Sequence, residues 1–288
     1  MPEKIHILLP VHNRREITRR FVQCLKRQTY VNYHLILIDD GSTDGTEEMV
    51  LGEIGPVTSI KGHGDWWWAG SLQQGYDWLK SHEAAPNDLV LIINDDTEFD
   101  PVFLETGSAL LQKHRQTLVL AQAYDRLTKQ LIDTGIHVIW KQLKFSRAFT
   151  PDEINCLSTR GLFLRVSDFF KTGGFYPRLL PHYLSDYEFT IRAQRRGLKL
   201  YSDPTLLVLL DMGTTGYHEI NNEPFADFVK KFFSIKSASN PFAWTVFIAM
   251  ACPWPWKIVH ILRLWIAAAC TLISYPLRSG KTSGFKLL

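Results

Sequence analysis

Short apolar runs, each closing on a polar tip and each followed by a stretch of helical periodicity, constrain this chain more than any other feature. IHILL (5–9) is closed by Pro10, HLILID (34–39) runs into Asp39-Asp40-Gly41-Ser42, and LVLII (89–93) ends on Asn94-Asp95-Asp96; a further strand is expected near 57–60. Between them, Ile17, Phe21, Cys24 and Leu25 recur at helical spacing to about residue 28, and 66–79 places Leu72, Tyr76 and Leu79 on one face. Repeated strand-then-helix units with short links predict an α/β fold built on a doubly wound, mostly parallel sheet.

Open sheets of that kind bind ligands outside the carboxyl ends of their strands, which makes the tips the informative residues. LVLIINDDTEFD (89–100) delivers two carboxylates and an amide to one such end. Taken alone it reads equally as a solvated turn, because Asp100-Pro101 is a good helix start and acidic residues complement a helix dipole. Three tips together say more. Pro10-Val11-His12-Asn13, Asp39-Asp40 and Asn94-Asp95-Asp96 would meet along one sheet edge, where some carboxylates accept hydrogen bonds from a nucleobase or ribose and others hold a cation against a diphosphate. Neither G-x-G-x-x-G nor a Walker loop is present, which argues against dinucleotide or ATP binding by those routes.

Further along, 101–116 reads as an amphipathic helix and TLVLAQ (117–122) as a strand. Residues 123–150 alternate without helical period, as in an antiparallel extension or a mobile flap. Leu157 to Arg165 returns to strand, Ser167 is placed to cap a short helix, 186–196 forms a helix stopped by Gly197, and 198–210 supplies two short strands. Asp44 and Glu47 stand at capping-box spacing.

The chain of 288 residues, 45% hydrophobic, has material for a substantial core. Cys24, Cys156, Cys252 and Cys270 have neither zinc-ligand nor framework spacing, and MPEKIHILLP has no signal-peptide core, so a reducing cytosol is expected. The net charge of +3 hides a division: beyond Asp227 there is no acid, and eight Lys and Arg make that end +8, leaving residues 1–227 at −5. In the same tail, 241–256 is broken by Pro253 and Pro255, and 257–275 carries Lys257, His260 and Arg263; neither offers the roughly 20 uninterrupted apolar residues of a spanning helix. On a helix, Lys257, His260, Arg263, Ala267, Thr271 and Ser274 make one polar stripe, the pattern of an interfacial helix with tryptophan anchors; docking on the catalytic domain or on a second copy is the alternative. Basic residues interleaved with an apolar tail do not make a nucleic-acid face.

LLPVHNRRE (8–16), LILIDDGSTDGT (35–46), LIINDDTEF (91–99) and TGGFYPRLLPHYLSDYEFTIRAQRRG (172–197) resemble, in order, the signature segments of the family 2 inverting glycosyltransferases, which have the GT-A fold, and among them the rhamnosyl- and hexosyltransferases of bacterial surface glycan assembly. The resemblance covers about residues 4–220. It implies a nucleotide-diphosphate sugar donor held by Pro10, His12, Asn13, Asp39, Asp40 and Asp95, a divalent Mg²⁺ or Mn²⁺ on Asp96, and Asp186 as general base. Asn94 stands at the first position of the D-x-D motif, so that one ligand is lost or is replaced by its carbonyl oxygen, and Ser185 replaces the usual Glu before the base. Asp211 and His218 are the candidates for an additional metal or diphosphate contact. In Gly64-Asp65-Trp66-Trp67-Trp68-Ala69-Gly70, three adjacent tryptophans cannot all face one core from a helix; one stacks on a sugar or shapes the donor pocket, or the cluster is purely structural.

These expectations describe a glycosyltransferase domain over 1–225 and a basic, apolar helical region over 226–288. The donor is expected to be UDP- or dTDP-linked and the acceptor a glycan or polyprenyl-diphosphate-linked glycan. The enzyme would be cytoplasmic and peripheral on the inner face of the plasma membrane. Rival readings are a nucleotidyltransferase, whose glycine- and arginine-rich phosphate loop is absent from 10–14, and a non-catalytic scaffold that binds nucleotide sugars.

Overall fold

A computed structural model of the chain describes residues 2–211 and 224–278. Its first half follows the expected rhythm: β1 (Ile5–Val11), α1 (Arg15–Lys26), β2 (Tyr33–Asp39), α2 (Thr46–Glu53), β3 (Val57–Lys61), α3 (Trp67–Ser81) and β4 (Leu89–Ile92). β5 (Thr97–Glu98), α4 (Phe103–Lys113), β6 (Thr117–Asp125), β7 (Leu131–Asp133), β8 (Ile136–Ile139), β9 (Lys144–Arg147), β10 (Leu162–Arg165), α5 (Val166–Thr172), α6 (Ser185–Arg195) and β11 (Lys199–Leu210) complete the sheet-bearing part. The large sheet runs β3-β2-β1-β4-β10-β6-β11-β5, with β7 on β6. β3, β2, β1 and β4 are parallel, as are β6 and β11, while β10 lies antiparallel between β4 and β6. The fold is therefore the mixed α/β, mostly parallel arrangement the sequence predicts, with β8-β9 as a separate antiparallel pair in the segment read as an extension or flap.

Both faces of the central strands are buried, and the two-residue period of a strand sorts them. Ile5, Ile7 and Leu9 of β1, with Leu35, Leu37, Leu89 and Leu91, pack under α1, α2 and α4. Leu8, Ile36, Ile38, Val90 and Ile92 face the other way, against α3, α5 and α6. Near-continuous apolar runs are what such strands require.

Several local expectations are corrected. Residues 199–210 form one strand, not two, because a register shift between Asp203 and Leu207 absorbs Pro204 without ending the pairing to β6. Ser167 lies inside α5 and makes no cap, since the helix already starts at Val166. Glu47 does not close a capping box: it is drawn to Lys61 (2.6 Å), while Asp44 accepts from the Thr46 and Arg15 amides.

The C-terminal region folds as α7 (Phe225–Phe232), α8 (Pro241–Ala251) and α9 (Trp254–Arg278). Asn240 caps α8 through Oδ1, and Phe247 and Ala251 of that helix share an apolar cluster with Ile136, Leu180 and Ile191. The tail is interrupted at Pro253 as expected, between the end of α8 and the start of α9. Pro255, however, falls in the first turn of α9, where a missing N–H costs nothing, so the second run does not begin at 257 but at 254, and 254–275 is long and apolar enough to cross a membrane. The polar stripe is split as well: His260 turns inward and donates through Nε2 to the Trp140 carbonyl (2.7 Å), beside buried Leu264 and Ala268. Ile258, Val259, Leu262, Ile266 and Ile273 are left facing outward.

The closest packing between layers is at Gly107 of α4, where a Cβ would meet the Phe163 ring at 2.5 Å. Gly107→Ala is expected to lose about 1–2 kcal/mol by overpacking, despite alanine's better helix propensity, read as a lower denaturant midpoint at unchanged slope.

Candidate active site

β2, β1 and β4 are neighbours, so their C-terminal ends lie side by side and the three predicted tips are brought together. Side chains then lace them. His12 Nδ1 donates to the Asp40 carbonyl (2.6 Å), and Asn13 Nδ2 lies 3.1 Å from His12 Nε2. Asn13 Oδ1 accepts from the Thr43 amide (2.8 Å), and Ser42 Oγ accepts from the Asn13 amide (2.9 Å). Pro10 pairs in register with Ile38 inside the sheet.

The two acids after β2 are spoken for by backbone. Asp39 Oδ1 accepts from the Ser42 amide (2.7 Å). Asp40 accepts from Gly64 (2.8 Å) through Oδ1 and from Trp66 (3.0 Å) and Trp67 (3.1 Å) through Oδ2. A Cβ at Gly62 would lie 2.6 Å from Asp40 Oδ1, so glycine is what lets the loop close on this carboxylate. Of the tryptophans held there, Trp66 and Trp68 pack against the α3-side core, and Trp68 Nε1 donates to Thr159 Oγ1 (3.1 Å). Trp67 differs: it takes φ 56°, with its ring 5.8 Å from His182 and Lys236 Nζ 5.4 Å from its centroid.

At the third tip, Arg14 lies against both acids. Its Nε is 3.3 Å from Asp95 Oδ2 and its Nη2 is 3.0 Å from Asp96 Oδ2; Thr18 Oγ1 adds a bond to Asp95 (3.0 Å). Burial pushes the Asp95 carboxyl up to about 6, with Arg14 pulling it back and Asp96 adding to the rise. The β5–β11 register pairs Thr97 with Leu210, and one step further brings Asp211 opposite Asp96. Asp211 is ion-paired to Arg126 (3.2 Å) and lies 3.7 Å from Arg20. His218 lies outside the described residues.

Does this donor set suit a divalent cation? Among the described residues no group of three or more His, Cys, Asp or Glu is gathered to hold one. Asn94 Oδ1, however, is a buried amide oxygen with no hydrogen-bond partner among those residues, beside Asp96 and across from Asp211. Magnesium-type ions take one or two carboxylates and complete their shell with substrate phosphate, so the residues fit a cation that arrives with a diphosphate.

Asp186 sits at the start of α6, half-buried, on the wall of a cavity of about 250 Å³. The Tyr187 amide donates to its Oδ1 (2.9 Å). Desolvation raises its pKa to about 6, against the lowering effects of that amide and of Arg160. Arg160 lines the same cavity as Asp186, and its neighbour Gly161 donates to the Ile92 carbonyl (3.0 Å) at the end of β4.

Arg14, Thr18 and Arg160 were not singled out by sequence. Arg14 stood within the first signature segment, two residues after His12, and a cation one helical turn before Thr18 was a usable signal; Arg160 lay in a stretch read only as strand.

The family model for glycosyl transferase family 2 matches residues 6–170, more than half of the chain. Among solved structures, a mannosyltransferase, PcManGT from Pyrobaculum calidifontis in complex with GDP-Man and Mn²⁺, is 14% identical, with a TM-score of 0.54 over 96% of this chain and 87% of that one. GalNAc-T7 with UDP, GalNAc and Mn²⁺ gives 14% identity and a TM-score of 0.60 over 92% of this chain and 58% of that one. S. aureus TarS gives 15% and 0.57 over 96% and 53%. At such identities these relatives establish the shared fold.

Removing the Arg14 guanidinium leaves two buried carboxylates facing each other. Arg14→Met is expected to cost about 2–4 kcal/mol, seen as a melting point several degrees lower, and Asp95→Asn in the same chain should restore part of it.

Proposed function

The chain belongs to glycosyl transferase family 2, and on that premise we propose that it moves a sugar from a nucleotide-diphosphate donor to an acceptor hydroxyl by direct, inverting displacement. The observation that carries this reading is a half-buried carboxylate with a pKa raised to about 6, Asp186, set on the wall of a cavity that it shares with Arg160, whose neighbour Gly161 is bonded to the end of β4. A base poised just below neutral pH is ionised yet still basic enough to take a proton in the transition state. Asp186 then accepts the acceptor hydroxyl's proton on the oxygen not held by the Tyr187 amide, as that hydroxyl attacks the anomeric carbon from the face opposite the departing diphosphate.

His12, Asn13, Asp39 and Asp40 shape the nucleotide side, and Asp40 acts mainly by holding the Gly64–Trp67 loop. The leaving diphosphate meets the third tip, where Arg14 neutralises the acids until the donor arrives. Asn94, Asp96 and Asp211 would hold a Mg²⁺ or Mn²⁺ ion, which when bound supplies Lewis-acid stabilisation to the leaving group. The UDP- or dTDP-linked preference stays with the donor as proposed from sequence, and the acceptor as a glycan or lipid-linked glycan.

The tail supports a membrane-surface partner. Seating α9 through His260, Leu264 and Ala268 leaves a row of exposed apolar side chains with Arg263 among them. Crossing a bilayer would require giving up the bond to Trp140, so contact along the exposed face, on the inner side of the plasma membrane, suits this packing better. Domain limits of 1–225 and 226–288 follow as a functional division, although the two share a core.

Transfer with sugar nucleotides and Mn²⁺ should rise with pH through about 6 and level off above it, since Asp186 must be ionised. Asp186→Asn should lose at least 100-fold in kcat, at the low end of general-base effects; wild-type activity in that variant, or none in the wild type with any donor, contradicts the reading. Leu262→Glu with Ile266→Glu should release the full-length protein from anionic vesicles in a flotation assay, at unchanged melting temperature.

A further inference from the structure

The cavity beside Asp186 is lined by two acids, Asp133 and Asp186, and two guanidinium groups, Arg147 and Arg160, and the hydrogen-bond donors of the last are not taken up by its walls. Its polar lining includes Asp133, Arg147, Ser158, Arg160, Asp186 and Tyr187. Asp133 is already satisfied: Ser158 Oγ donates to it (2.7 Å), and so does the Gly135 amide (2.8 Å). Arg147 spends one nitrogen on the Leu131 carbonyl (2.7 Å). Arg160 makes no hydrogen bond or salt bridge among the described residues, although it is half-buried. Its guanidinium is permanently charged and presents five donors in a rigid fork, a geometry that matches a carboxylate or a phosphate.

We propose that this cavity receives one sugar unit of the acceptor bearing an anionic group, a carboxylate or a phosphate, which Arg160 and Arg147 hold next to the hydroxyl offered to Asp186. At about 250 Å³ the space lies below the roughly 300–1,000 Å³ usual for drug-sized ligands, which suits a single sugar ring. None of Asn94, Asp95 or Asp96 lines it, so the donor diphosphate belongs elsewhere. Asp133, tied down by Ser158 and Gly135, is positioned to meet a neutral hydroxyl and to repel a misplaced anion. The inference rests on Asp186 facing the acceptor.

Binding can be read without catalysis. Methyl β-glucuronide, glucose 6-phosphate and methyl β-glucoside are titrated into the full chain at low salt by saturation-transfer NMR. At least one anionic sugar should bind about tenfold tighter than the neutral one, the scale of a charge-assisted hydrogen bond, and the stronger of the two identifies the anion. Arg160→Gln should abolish the difference, Arg147→Gln reduce it, and Arg160→Lys, which keeps the charge without the fork, retain part of it; melting curves confirm that each is folded. Equal binding of all three sugars, or a preference that survives Arg160→Gln, overturns the proposal. So does a loss of UDP affinity in Arg160→Gln with the sugar preference intact, because the guanidinium would then serve the donor. Asp186→Asn should keep the anion preference. An inactive Asp186→Asn enzyme with no preference in the wild type would refute this inference alone, and an active one with the preference intact would refute only the base.

Discussion

The Asp40 carboxylate accepts three backbone N–H groups, from Gly64, Trp66 and Trp67, at the point where three parallel strands end, and much of the site's shape follows from that one set of bonds. A buried carboxylate has to be satisfied, and amides close on it only if the chain between β3 and α3 turns sharply. The turn is permitted by Gly62, whose missing Cβ leaves room for Asp40, and by Gly64 at φ 91°. Trp68 is thereby delivered to Thr159, and the Thr159–Gly161 segment is anchored to the end of β4. The backbone of Arg160, between those anchors, is held at the edge of the cavity that Asp186 also lines. A chain of ordinary hydrogen bonds thus runs from the nucleotide-side tip to the residue that faces Asp186.

Charge is distributed across the cleft with the same economy. Asp95 and Asp96 share one counter-charge, Arg14, supplied from the start of α1. Asp211 is held by Arg126 in the same manner. Arg160, by contrast, makes no hydrogen bond or salt bridge among the described residues, although its charge acts on Asp186 across the cavity. A site whose acids are balanced internally can take up a dianionic donor without strong repulsion, and a guanidinium with donors to spare is where selectivity for a further anionic group can arise.

The strands and most helices were legible because their signals are local: apolar runs of strand length, helical spacing, and glycine or proline at the ends. The three tips were legible because parallel topology obliges consecutive strand ends to share an edge. What escaped was decided by packing. Pro255 looks like a breaker in sequence, yet it falls in the first turn of α9. His260 looked like part of an outward polar stripe, but the Trp140 carbonyl, which also accepts from the Leu143 amide, captured it. That Asp40 also carries a loop was not legible, because its three amide donors come from beyond β3. Arg14 and Arg160 have no periodicity or spacing to announce them, since their roles come from carboxylates that are distant in sequence. The tryptophans divide as local geometry demands, two into the core and one, Trp67, held in a left-handed turn at the cleft.

If the three tips form one nucleotide-sugar site, donor binding must couple to the cation that Asn94, Asp96 and Asp211 would share. Isothermal titration of UDP- and dTDP-sugars into the full chain, with and without Mn²⁺, measures that coupling directly. The account predicts binding at least tenfold tighter with Mn²⁺, a gain lost in Asp96→Asn. Donor affinity indifferent to both Mn²⁺ and Asp96, or no binding of any sugar nucleotide, would contradict it.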